Sequence, residues 1–259
     1  MVSPDALRTI VGILGNIISF ILFLSPMPTF IQIWKRKSVE QYSAVPYLAT
    51  LINCLVWTLY GLPFIHPGSI LVVTINGSGL VIECTYLIIF LIFSDKKKRI
   101  KVVLVVLAEL VFISILTLLT LTLTHSHKKR STIVGTICIL FNIMMYAAPL
   151  AVMKLVITTK SVEFMPFFLS FASLLNGITW TTYALIKFDP FITIPNGLGT
   201  FFGVAQLILY ATYYKSTQRI LAERKTKQVN LSEVVVADEE ELKKPCGRGQ
   251  NGHSTLNNH

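Results

Sequence analysis

Seven stretches of nearly unbroken apolar sequence run along the chain, at about 7–31, 44–65, 69–93, 101–124, 132–153, 165–187 and 190–214, each near the ~20 residues that cross a bilayer as a helix. None shows the period-two alternation of a membrane barrel strand, so the pattern predicts helices. Lipid enforces the choice, because only helices and closed barrels satisfy every backbone N–H and C=O within the hydrocarbon. Polar residues interrupt the apolar stretches sparsely, and the interruptions recur in register.

Lys37-Ser38-Val39-Glu40 returns as Lys160-Ser161-Val162-Glu163. The same shift of about 123 positions carries Ser19 to Asn142, Leu22 to Met145, Pro26 to Pro149, Asn53 to Asn176, Trp57 to Trp180 and Tyr60 to Tyr183. After a small deletion, Ile75-Asn76-Gly77-Ser78-Gly79 matches Pro195-Asn196-Gly197-Leu198-Gly199. Three helices are therefore duplicated. A three-helix unit ends on the side opposite its start, so one extra crossing between the copies restores the orientation and makes the repeats parallel. The fold class expected is an all-α membrane protein with seven transmembrane helices, arranged as two parallel three-helix bundles joined by a linker helix. Residues 1–94 form the first repeat, 95–130 the linker helix with its loops, 131–215 the second repeat and 216–259 a disordered cytosolic tail.

Composition agrees with immersion in lipid: 53% of residues are hydrophobic, 14% are charged, and the mean hydropathy is +0.64. The net charge of +10 does not indicate nucleic acid, since the cations collect in loops rather than on a soluble face. Lys35 to Lys37, Lys96 to Arg99, Lys101, Lys154, Lys160 and the basic start of the tail lie on one side. Arg8, Lys128, Lys129, Arg130 and Lys187 lie on the other. The positive-inside rule then puts the amino terminus outside and the carboxyl terminus in the cytosol. Cys54, Cys84, Cys138 and Cys246 fall in helices or the inner tail and form no disulfide framework. No cleavable signal pattern is legible. Asn76-Gly77-Ser78 and Asn230-Leu231-Ser232 match a glycosylation pattern, but one is intramembrane and the other cytosolic on this topology. His125 and His127 lack a third ligand, so no metal site and no cofactor is expected. Gly199 and Gly203 have the spacing of close helix packing.

Candidate chemistry lies in polar stripes. Asn53, Trp57 and Tyr60 fall at i, i+4 and i+7 on one face of the second helix, and Asn176, Trp180 and Tyr183 repeat the stripe in the sixth. Asn76 and Asn196 add amides from the third and seventh helices, each with two donors and an acceptor oxygen. Polar groups are costly in lipid unless satisfied, so these faces should line a cavity on the pseudo-symmetry axis. Neutral amides and flat indoles without fixed charge suit a neutral polyhydroxyl molecule: amides pair with hydroxyls and indoles cover the C–H face of a pyranose. Sugar is the natural substrate. Leu22 and Met145, each four residues before a proline on the face carrying Ser19 and Asn142, should form the waist of the pocket.

At these residues the chain resembles the SWEET sugar transporters, over roughly 7–220, and within them the plant monosaccharide-transporting group. The two Lys-Ser-Val-Glu turns, Trp57-Thr58-Leu59-Tyr60-Gly61, Thr74-Ile75-Asn76-Gly77, Val162-Glu163-Phe164-Met165-Pro166 and Pro195-Asn196-Gly197 carry the resemblance. The related PQ-loop transporters are less similar, because Met27 follows Pro26 and Leu150 follows Pro149. The resemblance implies a sugar-binding pair at Asn76 and Asn196, aromatic walls at Trp57 and Trp180, and further pocket positions at Ser19, Asn53, Asn142 and Asn176, of which Asn142 and Asn176 are serine in some members. It implies a proline tetrad at Pro26, Pro46, Pro149 and Pro166 that bends as an inner gate opens, and an outer-gate pair at Tyr60 and Asp189. In that family smaller valines at the positions of Leu22 and Met145 accompany disaccharide transport. Homo-oligomers are also implied.

The expected function is a facilitative uniporter of glucose or another hexose, not an enzyme, working by alternating access in the plasma membrane, with sugar and bilayer as partners. Two rivals stand beside it. Glu83 shares a face with Asn76 at i+7 and would serve a proton-coupled symporter, although no basic residue sits beside it. A seven-helix receptor matches in helix count, but the internal duplication argues against it and the seventh helix has no lysine to hold retinal.

Overall fold

The computed structural model describes residues 3–242, with side-chain surroundings through 232. Among the described residues there are helices and no strands. They are α1 (Pro4–Leu24), α2 (Met27–Arg36), α3 (Val45–Gly61), α4 (Ile70–Phe93), α5 (Lys96–Leu123), α6 (His127–Met145), α7 (Ala147–Thr159), α8 (Phe167–Ile186) and α9 (Pro190–Leu242). The chain is an all-helical membrane protein. Pro4–Arg36, Ile70–Phe93, Lys96–Leu123, His127–Thr159 and Pro190–Ser232 are each long and apolar enough to cross a membrane, while α3 is apolar but shorter.

Among the described residues the seven expected crossings become nine helices, because the first and fifth are each broken near a proline of the duplicated pair Pro26 and Pro149. Pro26 has no N–H to return to Leu22, and the Leu22 carbonyl instead accepts from Ser25 N at 3.1 Å, tightening the last turn of α1 before α2 restarts. In the second copy Tyr146 N turns in the same way to Ile143 O, at 3.1 Å, three residues before Pro149. Pro46 and Pro166 sit at the starts of α3 and α8, where a missing N–H costs nothing.

The duplicated Lys-Ser-Val-Glu segments stop α2 and α7 by one mechanism. Lys37 and Lys160 take left-handed conformations with φ of 54° and 55°, capping the helices. Ser38 Oγ then accepts from Glu40 N at 3.1 Å, and Ser161 Oγ from Glu163 N at 3.3 Å. Val39 and Val162 plug the buried clusters beneath.

Within the first repeat, α3 runs along α4 and α1 packs on α4. The repeats meet through α1 against α8 and through α3 against α6, two interfaces that exchange under the duplication. Linker helix α5 touches α3, α4 and α6, and Leu104, Leu107, Val111, Ile115 and Leu118 on it are exposed, as a lipid-facing crossing requires. Arg130, one of the cations that dissents from the charge bias, joins two loops by donating to Thr124 O at 2.9 Å and Phe64 O at 3.1 Å.

The segment expected to form a disordered tail, 216–259, is described only in part. Residues 216–242 continue α9, and 243–259 lie outside the described residues. The sequence has no Gly or Pro between Gly203 and Pro245 and is rich in Lys, Arg, Glu, Gln and Leu, which are strong helix formers. Among the described residues, those from Tyr214 onward belong to a separate unit.

Candidate functional site

The buried face of α1 is Arg8, Gly12, Gly15 and Ser19, a stripe of mostly small residues. A Cβ on Gly15 would lie 3.0 Å from the Trp180 ring, so only glycine lets α1 come this close to α8. The approach lets Ser19 Oγ donate to Asn176 Oδ1 at 2.5 Å and accept from Trp180 Nε1 at 3.0 Å. The corresponding face of α6 buries Ser131, Gly135 and Cys138.

Between these interfaces lies a cavity of about 190 Å³. Asn53, Trp57, Asn76, Asn142, Asn176, Trp180 and Asn196 line it together with Ser19 and Leu22. Asn76 donates to its own Val72 O at 2.9 Å and Asn196 to Ile192 O at 2.8 Å, so each amide is tethered by one hydrogen in the same way. The oxygen and second hydrogen of each remain available to a bound molecule. The two indoles keep similar frames, Trp57 edge-on to Tyr60 at 5.6 Å and Trp180 edge-on to Tyr183 at 5.2 Å. Asn53 Oδ1 is buried without a partner, which in a cavity wall marks an acceptor awaiting a hydroxyl or water.

A second chamber of about 310 Å³ shares Leu22, Asn53, Asn142, Asn176 and Asn196 with the first and extends to Met145, Tyr146, Pro149 and Gln206. The site is thus continuous toward Pro149. Toward Tyr60 it is sealed. The Tyr60 hydroxyl reaches both oxygens of Asp189, at 3.0 and 2.8 Å, and can donate to only one at a time. Asp189 also starts α9, accepting from Phe191 N at 3.0 Å and Ile192 N at 3.4 Å. His66 stacks on Tyr60 at 4.7 Å and places Nε2 at 3.3 Å from Asp189 Oδ2. Burial pushes its imidazole below the usual histidine range, against the opposing pull of that carboxylate.

No Asp, Glu, Lys or Arg is among the residues lining either chamber. Glu83 is 3% exposed, its Oε2 lacks a partner, and it lies outside both walls. Among the described residues no three His, Cys, Asp or Glu side chains group as metal ligands.

The structure gathers every expected pocket residue. It separates the waist pair in one respect: Leu22 borders both chambers, whereas Met145 borders only the chamber toward Pro149. Met145 is the last residue of α6, one before the break at Tyr146, whereas Leu22 still lies within α1. Sequence reading missed the apolar walls Phe23, Val72, Ile75 and Ile192, which carry no polar signal. Tyr146 was also missed; its hydroxyl donates to Pro195 O and ties the α6–α7 break to α9. Gly199 and Gly203 behave as packing residues, a Cβ meeting the Tyr146 hydroxyl and the Leu174 backbone at 2.9 Å each.

Comparison with known proteins matches this arrangement. A profile described as "Sugar efflux transporter for intercellular exchange" covers residues 9–98 and 132–218, one segment per repeat. The bidirectional sugar transporter SWEET4 of Oryza sativa is 61% identical over 91% of this chain and 92% of its own length. Bidirectional sugar transporter SWEET7 of Arabidopsis thaliana is 59% identical over 85% and 86%. The 3.7 Å structure of a eukaryotic SWEET transporter superposes with a TM-score of 0.80 at 38% identity, covering 82% of this chain and 99% of that one.

Proposed function

The chain belongs to the SWEET family of sugar transporters, and from that premise we propose that it is a facilitative uniporter carrying glucose or a similar hexose both ways across the plasma membrane. The observation that carries the proposal is the neutral cavity between the repeats, walled by asparagine amides and two indoles and lined by no ionisable carboxylate or cation. Such a wall exchanges hydrogen bonds with sugar hydroxyls and binds no coupling ion. The names of the relatives, bidirectional sugar transporters, agree with passive flux.

With the amino terminus outside and the carboxyl terminus cytosolic, the Tyr60–Asp189 seal faces outward and the Pro149 chamber faces the cytosol. This conformation is then inward-facing. Transport proceeds by rocking of repeats 1–94 and 131–215 about the cavity, with the breaks near Pro26 and Pro149 as bending points and Pro46 and Pro166 at the adjoining helix starts. Proton symport would place a carboxyl in the wall, and Glu83 is buried elsewhere in the first repeat. Like the family it resembles, the protein works as a homo-oligomer. The test is uptake and efflux of labelled glucose in cells lacking their own hexose carriers. Equal competence in both directions supports the reading, and ligand response without solute flux sinks it.

A further inference from the structure

The Tyr60–Asp189 contact joins the first repeat to the second, but Tyr183, the counterpart of Tyr60, has no hydrogen bond to a carboxylate. Residue 69, which corresponds to Asp189 under the shift that pairs Asn76 with Asn196, is a serine. That serine lies beside the Tyr183 hydroxyl, and what covers the face of the Tyr183 ring is Arg8. Its guanidinium carbon lies 4.2 Å from the centre of the Tyr183 ring, and Nη1 donates to Gly68 O at 2.9 Å. Arg8 is 8% exposed, and its Nε has no partner. A cation is rarely buried at the end of an apolar helix unless something holds it there. Here one side is anchored to the loop before α4 and the other lies on an aromatic face of the opposite repeat.

The duplication supplies an independent observation. Arg8 corresponds to Ser131 at the start of α6. Ser131 Oγ donates to Ile65 O at 2.8 Å, in the same loop that Arg8 grips, and lies 3.0 Å from His66 Nδ1, whose ring stacks on Tyr60. Both positions therefore hold the 62–69 loop and reach the face of a seal tyrosine, Ser131 through His66 and Arg8 directly. Below Arg8, Gly12 brings α1 so near Tyr183 that a Cβ there would sit 2.9 Å from the ring. That contact fixes the ring under the guanidinium.

We propose that Arg8 is a second latch of the outer seal, closing on Tyr183 across the repeat interface as Asp189 closes on Tyr60. The proposal rests on the alternating-access reading and adds a gating residue to it. Opening the outer end separates the guanidinium from the Tyr183 ring while Arg8 stays with its own loop, so Arg8 sets how often the cavity is reached from outside. Lysine has no planar group to lie on the ring and substitutes only in part.

The test reads outer access without requiring sugar. Val72 lines the cavity and is buried. In the Val72→Cys protein, reaction with a membrane-impermeant maleimide applied on the amino-terminal side is measured above the background of the native cysteines. Arg8→Gln and Tyr183→Leu should each speed labelling several-fold and, combined, do no more than either alone. Tyr183→Phe keeps the ring and should label at the parental rate, with Arg8→Lys between. An unchanged rate in Arg8→Gln at normal surface level would overturn the latch. So would Tyr183→Phe labelling as fast as Tyr183→Leu, a comparison that stands even if Arg8→Gln fails to fold. Absence of sugar flux through the unsubstituted protein would refute the transport reading instead, and the labelling comparison separates the two failures.

Discussion

Ser19 and Asn176 meet hydroxyl to amide oxygen at 2.5 Å although they stand in opposite repeats. Their counterparts under the duplication, Asn142 and Asn53, show no such closure, since Asn53 Oδ1 is buried and unpaired. The cavity is thus symmetric in position and asymmetric in hydrogen bonding: one half of the wall is already satisfied, and the other holds an acceptor for an incoming hydroxyl.

That asymmetry predicts unequal costs. Ser19→Ala removes two bonds, to Asn176 Oδ1 and from Trp180 Nε1, but frees both groups to pair with sugar hydroxyls, so affinity should fall by no more than roughly two- to tenfold, about the worth of one neutral hydrogen bond. Asn53→Ala removes the open acceptor and should raise KM for glucose more. Concentration-dependent uptake for the two variants checks the order, and an equal or reversed effect contradicts it.

Packing within the second repeat makes a stability prediction. A Cβ on Gly135 would strike the Phe191 ring, whereas one on Gly197 would meet nothing within 4 Å. Gly135→Ala should lower the melting temperature of the detergent-solubilised protein, by an overpacking cost of about 1–3 kcal/mol. Gly197→Ala should match the parent or exceed it, because alanine is the better helix former. Paired thermal melts decide.

Size selection is predicted to act at Leu22 and Met145, which border the passage between the two chambers and its mouth. Leu22→Val with Met145→Val should raise the ratio of sucrose to glucose uptake by removing bulk that excludes a second ring. An unchanged ratio with glucose flux intact would move selectivity to Asn53 and Asn176.

Energetic coupling is predicted to be absent. A protonophore should leave initial rates of uptake nearly unchanged, because no titratable carboxyl lines the cavity. Accumulation of a non-metabolised sugar above its outside concentration would contradict this and turn attention to Glu83.

Much of this arrangement was legible because membrane folding leaves strong marks. Unbroken apolar runs set the helices, and a pocket in lipid must be built of polar residues that stand out against them, so Asn53, Asn76, Asn176 and Asn196 were visible as a set. The breaks at Ser25–Pro26 and Tyr146 were harder to place, since Pro26 sits at its break while Pro149 follows the other by three residues. Arg8 read as an ordinary flanking charge, because its role depends on Tyr183, which approaches only after the repeats associate. His66 was hidden for the same reason. In the tail, polar composition pointed to disorder, whereas the run of helix formers without Gly or Pro carries α9 on to Leu242.

The central claim is that Asn76 and Asn196 grip the sugar from opposite repeats in one cavity. Its most direct test is labelled glucose uptake by Asn76→Ala and Asn196→Ala at matched surface abundance, in cells without endogenous hexose carriers. Each substitution removes hydrogen bonds worth about 0.5–1.5 kcal/mol apiece and leaves substrate hydroxyls unpaired, so either variant should lose nearly all uptake while remaining folded at the membrane. Normal glucose uptake by both alanine variants would contradict the account.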